Sequence, residues 1–143
     1  MKKVVVTGGA GFIGSTLVDE LIRTGYDVHI IDDLSTGKKD NVNSKAKLYK
    51  LDISSANTLR LESIIEGSEY VFHLAAKTAV QESLHNPESY ELVNCLVYYV
   101  FLGQALVWVS KGLYLARLVL YTEILIKFQL QNQLKGNLYL HTL

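Results

Sequence analysis

Thr7-Gly8-Gly9-Ala10-Gly11-Phe12-Ile13-Gly14 sets glycines at positions 8, 11 and 14, and again at 9, 11 and 14. Such glycines do no chemistry themselves; they let a backbone come close to something. The first permits a tight turn out of a strand, the second lets the main chain approach a pyrophosphate, and the third lets the next helix pack against the sheet. The phosphates would rest on the positive end of that helix. Asp32 stands 18 positions beyond Gly14, near the roughly 20 expected of a carboxylate that accepts from a ribose 2′-hydroxyl. Such a carboxylate repels a 2′-phosphate. No Arg lies nearby, although Lys38 and Lys39 form a flexible pair that softens the preference. The motif points to a dinucleotide, and to NAD before NADP. The competing reading is a glycine-rich turn that serves packing only.

These residues need strands and helices in a set order. Lys3–Thr7 is a β-branched run ending at glycines, which reads as a buried parallel strand. Phe12, Ile13, Leu17, Leu21 and Ile22 then recur at helical spacing until Gly25. "YDVHIID" is a second strand closing on Asp32, and a polar loop leads to a third, "LYKLDI". Leu59, Leu61, Ile64 and Ile65 mark a second helix, capped by Ser54 or Ser55 and ended by Gly67. "SEYVFHLAA" supplies a fourth strand, and Asn86 caps a further helix with Pro87 at its first position. Strands alternating with helices imply an α/β fold, the N-terminal part of a Rossmann-type doubly wound parallel sheet with right-handed crossovers. His73 falls at a buried strand end and is read as a packed neutral histidine.

The 143 residues balance 14 Lys and Arg against 14 Asp and Glu, so no global charge points to nucleic acid or acidic lipid. That balance hides a break. Residues 1–96 carry 10 basic and 13 acidic side chains, whereas residues 97–143 carry four basic and one acidic, with 12 Leu, no Pro and no Asp. Cys95 is the only cysteine, which excludes an internal disulfide and makes a reducing compartment the default. The apolar stretch of "MKKVVVTGG" is too short for a signal-peptide core. The expectation is a cytoplasmic protein whose first strand begins almost at Met1, with no metal-ligand set assigned.

"VTGGAGFIGS", "IIDDLSTGKKDNV", "LDI" and "VFHLAAKTAVQESLHNPESYELVN" together resemble successive signatures of the NAD-dependent epimerase/dehydratase family, extended short-chain dehydrogenases that act on nucleotide sugars. The resemblance is nearest to its UDP-glucose 4-epimerase branch and covers about residues 1–96. It implies that Gly8, Gly11, Phe12, Ile13 and Gly14 form the pyrophosphate turn. Asp32, Asp33, Ser35, Thr36 and Gly37 would surround the adenosine ribose, and Asp52 and Ile53 would lie along the adenine. Leu74, Ala75, Ala76 and Thr78 would line the cofactor beyond the fourth strand, with Asn94 touching that loop. Lys77 stands where relatives vary and receives no role. The resemblance further implies a nucleotide-sugar substrate, a UDP-sugar first, and homodimers among full-length relatives, with neither nucleic acid nor membrane as partner.

Family chemistry, as the resemblance implies, runs through a Tyr-x-x-x-Lys pair with a Ser or Thr nearby. The tyrosine moves a proton while hydride passes to or from the nicotinamide, and both side chains share one helix face. None of the nine tyrosines here has Lys four positions on, and the family's Gly-Thr after Asn94 is replaced by Val97-Tyr98. No catalytic residue is assigned. Both departures begin after Leu96, so the chain divides into an NAD-binding half-domain, residues 1–96, and a non-family tail, residues 97–143.

Three readings of that tail compete. Cys95–Val109 is 15 residues with Gln104 inside, short of the roughly 20 a membrane span needs. As a core helix it is apolar almost all round and would need burial on every side, so the tail is expected to be helical or ill packed. The third reading is a translation in a shifted frame. Joining each residue's third codon base to the next residue's first two makes Trp108–Val109 read glycine, since TGG and GT give GGT. The same shift allows Gly-Val-Lys-Arg over Trp108–Gly112, Phe-Ser-Ser-Ser over Tyr114–Leu118, and Val-Tyr-Gly from Leu120. The resemblance expects those words in that order. On this reading the fifth strand, the catalytic Ser, Tyr and Lys, and the sugar-binding domain are not encoded in the chain as translated, and a non-catalytic NAD-binding module with an associating tail is the alternative.

Overall fold

The computed structural model describes residues 1–54, 58–96, 112–119, 122–129 and 139–142. Three valines in a row favour extended backbone because both Cβ branches crowd a helix, and Lys3–Thr7 forms β1. The chain turns through the glycines into α1, Phe12–Arg23, and returns as β2, Asp27–Asp32. β3 is Lys47–Lys50, α2 is Thr58–Ile65 and β4 is Tyr70–His73. Two short helices follow, α3 over Val80–His85 and α4 over Pro87–Glu91, and a π-turn over Leu92–Leu96. Strands β2, β1 and β4 run parallel side by side, with β3 parallel on the outer edge of β2.

Alternation along the strands builds two cores. Val4 and Val6 of β1 with Val28 and Ile30 of β2 face Val18 and Leu21 of α1. Val5, Ile31 and Val71 face the other way, onto Leu61, Ile64 and Ile65 of α2. Each of these residues is buried, so helices cover both faces as a doubly wound sheet requires. Strand order is β3-β2-β1-β4: the chain builds outward on one side of β1, then crosses to the other. That reversal opens a crevice beyond the carboxyl ends of β1 and β4, the place where open α/β sheets bind ligands.

The strand and helix bounds differ from the sequence reading mainly at their ends. β3 stops at Lys50 because Asp52 turns the chain, its Oδ1 accepting from Ser54 N at 2.8 Å and Ser54 Oγ at 2.7 Å. Ser54 therefore serves that turn and does not cap α2; Ser55 lies outside the described residues. Asn86 does cap α4, accepting from Ser89 N. The apolar segment 97–111 also lies outside the described residues. Beyond it the tail is not helical where described: β5, Gly112–Val119, pairs parallel with β4, and β6, Thr122–Gln129, and β7, Tyr139–Thr142, continue antiparallel. The alternation Glu123-Ile124-Leu125-Ile126-Lys127-Phe128 is closer to the two-residue period of a strand than to a helix.

His73 ties the two central strands. It stands opposite Thr7 in register, and its Nδ1 shares a 2.7 Å hydrogen bond with Thr7 Oγ1. Burial pushes the imidazole pKa down from 6.5 to about 4, so the folded state holds it neutral. The unfolded chain takes up that proton first as pH falls. Stability is therefore full above about pH 6.5, declines toward pH 4 and then levels, a loss on the order of 3 kcal/mol from this group. Burial lowers the His29 pKa in the same direction. Urea unfolding between pH 7 and pH 4 should show a steeper loss in the native chain than in His73→Gln; equal slopes would remove His73 as the cause.

Candidate functional site

The loops that leave β1, β2, β3 and β4 at their carboxyl ends enclose a cleft of about 920 Å³. Gly8 makes it possible. It adopts φ +70°, and a Cβ there would lie 2.8 Å from Ala75 N, so only a bare backbone lets the β1 and β4 loops meet. Ala75 N donates to Thr7 Oγ1 at 3.2 Å, which fastens the same junction. A Cβ on Gly14 would fall on the carbonyl of Gly8 and within 2.8 Å of Gly9 Cα; α1 can start this close to the sheet only without one. Gly11 is different. Its Cβ would meet nothing but Gly8 O, at 3.2 Å. A side chain there would press on that one carbonyl, a milder conflict than at Gly8 or Gly14, and Gly11 lines the cleft at the N-terminal end of α1.

Asp32 closes β2 with only 7% of its surface exposed. Ala10 N donates to its Oδ2 and Leu34 N to its Oδ1, both at 2.9 Å. The carboxylate is thereby aimed, and each oxygen keeps a lone pair for a ligand hydroxyl. Leu34 sits at φ +62°, a left-handed conformation that a branched side chain adopts only at a cost. Its amide is what Asp32 gains from that strain. Asp33 Oδ1 accepts from Ser35 N and Oγ at 2.8 and 2.7 Å, so Asp33 shapes the loop that carries Ser35, Thr36 and Gly37. Lys38 N and Asn41 Nδ2 both donate to Ala10 O at 3.1 Å and bind this loop to the glycine turn.

All the residues that the sequence points to, Asn94 excepted, line this cleft. Gly8, Gly11, Phe12, Ile13 and Gly14 line one wall; Asp32, Asp33, Ser35, Thr36 and Gly37 the second; Asp52 and Ile53 the floor beside them; Leu74, Ala75, Ala76 and Thr78 the far end. Asn94 is not on the wall. Its side chain instead brackets Lys77, accepting from Lys77 N and donating to Lys77 O, both at 2.9 Å. Seven wall residues were not selected from sequence: Leu17, Ile31, Leu51, Ser54, Phe72, Lys77 and Val93. Most are apolar residues at strand or helix ends that look like core in any sequence. Lys77 had a visible signal, a cation beside Thr78.

The shape suits an extended dinucleotide: a glycine cradle whose missing side chain leaves room at a helix N-terminus, and a preset carboxylate one strand away. The model of the NAD dependent epimerase/dehydratase family matches residues 4–105, most of the chain. The chain belongs to that family. The match continues past Leu96 into residues outside the described set. A putative UDP-glucose 4-epimerase of Methanocaldococcus jannaschii is 46% identical over 84 residues, which are 59% of this chain and 27% of that protein. The solved UDP-glucose 4-epimerase of Thermotoga maritima, in complex with UDP-glucose, has a TM-score of 0.73 at 38% identity, covering 79% of this chain and 37% of its own. That of Thermus thermophilus, in complex with NAD, has a TM-score of 0.64 at 32% identity, covering 73% of this chain and 33% of its own. This family member therefore spans about a quarter to a third of the length of such relatives, and NAD is its family cofactor.

The glycines separate fold from ligand. Gly11→Ala should keep the unfolding midpoint nearly unchanged yet weaken NAD binding at least tenfold. Gly14→Ala should destabilise the fold by roughly 1–3 kcal/mol, as overpacking does. Paired urea unfolding and NAD titration of the two variants check this; equal effects on stability would contradict it.

Proposed function

We propose that this chain supplies the NAD-binding half of a nucleotide-sugar epimerase of the UDP-glucose 4-epimerase kind and has no catalytic pair of its own. The observation that carries the reading is the cleft at the strand-order reversal, which sets an open glycine cradle opposite an aimed, nearly buried Asp32. When bound, NAD supplies the hydride acceptor of such a reaction. The chain's own part is to hold it. Gly11, Phe12 and Ile13 offer backbone at the α1 N-terminus to the pyrophosphate, and Asp32 accepts from ribose hydroxyls. Ser35, Thr36 and Gly37 flank that ribose, Asp52 and Ile53 the base, and Leu74 to Ala76 with Thr78 the nicotinamide end. Asn94 acts through Lys77, by fixing its backbone. The names of the solved relatives support a UDP-sugar as substrate of the whole enzyme, which we place in the cytoplasm as a homodimer.

The missing Tyr-x-x-x-Lys pair separates binding from turnover. The full chain should bind NAD saturably and convert no UDP-hexose; measurable epimerisation would overturn the incompetence, and no NAD binding at millimolar cofactor would overturn the whole reading.

Residues 97–143 are, on this reading, family codons translated one base out of frame. The support is the order of words in the shifted frame, Gly-Val-Lys-Arg, Phe-Ser-Ser-Ser and Val-Tyr-Gly. A second reading, a non-catalytic NAD module with a genuine associating tail, is favoured by the pairing of β5 to β4, which lets the tail extend the sheet. The nucleotide sequence decides between them: a one-base correction near Leu96 should restore an open family frame. Stop codons or unrelated residues in that frame would sink the frame-shift reading and favour the module.

A further inference from the structure

A second cluster of titratable side chains lies away from the cleft, toward the end of β2 opposite Asp32. Alternation puts Asp27, His29 and Ile31 on one face of the sheet, and register sets Lys47 opposite His29 and Tyr49 opposite Ile31. His29 is 8% exposed and is held at both ring nitrogens. Its Nε2 is 3.3 Å from Asp27 Oδ2, and its Nδ1 is 3.2 Å from the Tyr49 hydroxyl. A carboxylate only accepts, so Nε2 carries the ring proton and Nδ1 accepts from the Tyr49 O–H. Burial pushes the His29 pKa down, which keeps the ring neutral and Nδ1 unprotonated at pH 7. Charged groups reach the ring from each strand beside it: Asp27 on its own strand, Lys3 on β1 and Lys47 on β3. Glu66, just past α2, acts on Lys3. The Lys47 ammonium stands 5.2 Å from the centre of the Tyr49 ring. β3 is the outermost strand on its side of the sheet, Asp27 and Lys47 are exposed, and Tyr49 is half-buried, within reach of a small molecule at that edge. None of these residues lines the cleft.

We propose that Asp27, His29 and Tyr49 form a nucleophilic site at which Tyr49 takes an acyl group from a small activated acyl donor. His29 Nδ1 takes the phenolic proton as the Tyr49 oxygen attacks the acyl carbon. A C–O bond forms to Tyr49, the bond from the acyl carbon to the leaving oxygen breaks, and the leaving group departs as an anion. His29 becomes an imidazolium beside Asp27 and returns its proton to water. The products are an aryl ester on Tyr49, the leaving anion and one proton, and no electrons change hands. Lys47 sets a positive charge beside the ring that gains negative charge. A clamp between β2 and β3 would need only the bond from Tyr49 to His29. The Asp27 contact is what fixes the tautomer that makes His29 a base.

The test is acetylation of the full chain by p-nitrophenyl acetate in the absence of NAD, mapped by peptide mass spectrometry. Tyr26, Tyr70 and Tyr90 are half-buried like Tyr49 and serve as references within the same molecule. Tyr49 should acetylate at least about tenfold faster than each of them. Its rate should rise as His29 loses its proton and level off above about pH 6.5, since burial holds the imidazole below that ordinary value. Uncatalysed acetylation of a phenol instead keeps climbing, by about tenfold per pH unit. Asp27→Asn, at an exposed position, should slow Tyr49 at least about threefold and His29→Gln at least about tenfold, with the Tyr26 rate unchanged. If Tyr49 matches the reference tyrosines, ignores both substitutions or climbs with pH as an uncatalysed phenol does, it only clamps two strands and the proposal falls. Should His29→Gln not fold, Asp27→Asn and the pH profile decide. No step involves NAD, so this result is separate from that for the cleft.

Discussion

The meeting of two strand ends at Gly8 and Ala75 is the constraint on which the rest of this chain's architecture depends. Strand β1 turns back on itself there with positive φ, and the loop after β4 comes within contact of a backbone that carries no Cβ. Thr7 seals the junction with one hydroxyl, accepting from Ala75 N–H and bonding His73 Nδ1. Beyond the paired strands β1 and β4, this junction brings their two loops together. With it, the glycine turn and the 74–78 loop become two walls of one cleft. The cost is a buried imidazole that must stay neutral, which links the cleft's integrity to pH.

From that junction the site is assembled by backbone more than by side chains. Asp32 is aimed by the amides of Ala10 and Leu34. The loop after β2 is tied to the glycine turn through Ala10 O, and the loop after β4 is tied to the π-turn through Asn94 and Lys77. Such a site asks for few special residues: glycines where backbone must come close, an acid at a strand end, and an Asn on a π-turn. The two hydrophobic cores, one against α1 and one against α2, hold the strands whose ends these loops extend.

That economy explains how much could be read in advance. The valine run, the glycine spacing and the acid closing β2 each have one physical purpose, so β1, α1, β2 and the cleft they border were legible. Parallel pairing followed from strands alternating with helices. Less legible were contacts between distant segments. Ser54 looks like a helix cap in sequence, yet the nearer Asp52 takes its hydroxyl. Asn94 was associated with the 74–78 loop, but that it acts by bracketing Lys77 needed coordinates. Lys77 receives no role from the resemblance because relatives vary there; its place on the cleft wall is visible only in the structure. In the tail, composition announced a break, while apolar content alone could not separate helix from strand, and the described segments are strands.

If NAD lies along this one cleft, its contacts fall on four backbone segments. Backbone amide NMR of the full chain titrated with NAD reads them out. Saturable shifts should be confined to Gly8–Gly14, Asp32–Gly37, Asp52–Ile53 and Ala75–Thr78, with Lys3, Asp27 and Tyr70 at the opposite strand ends unmoved. Shifts centred at those opposite ends, or none at saturating cofactor, would contradict that placement.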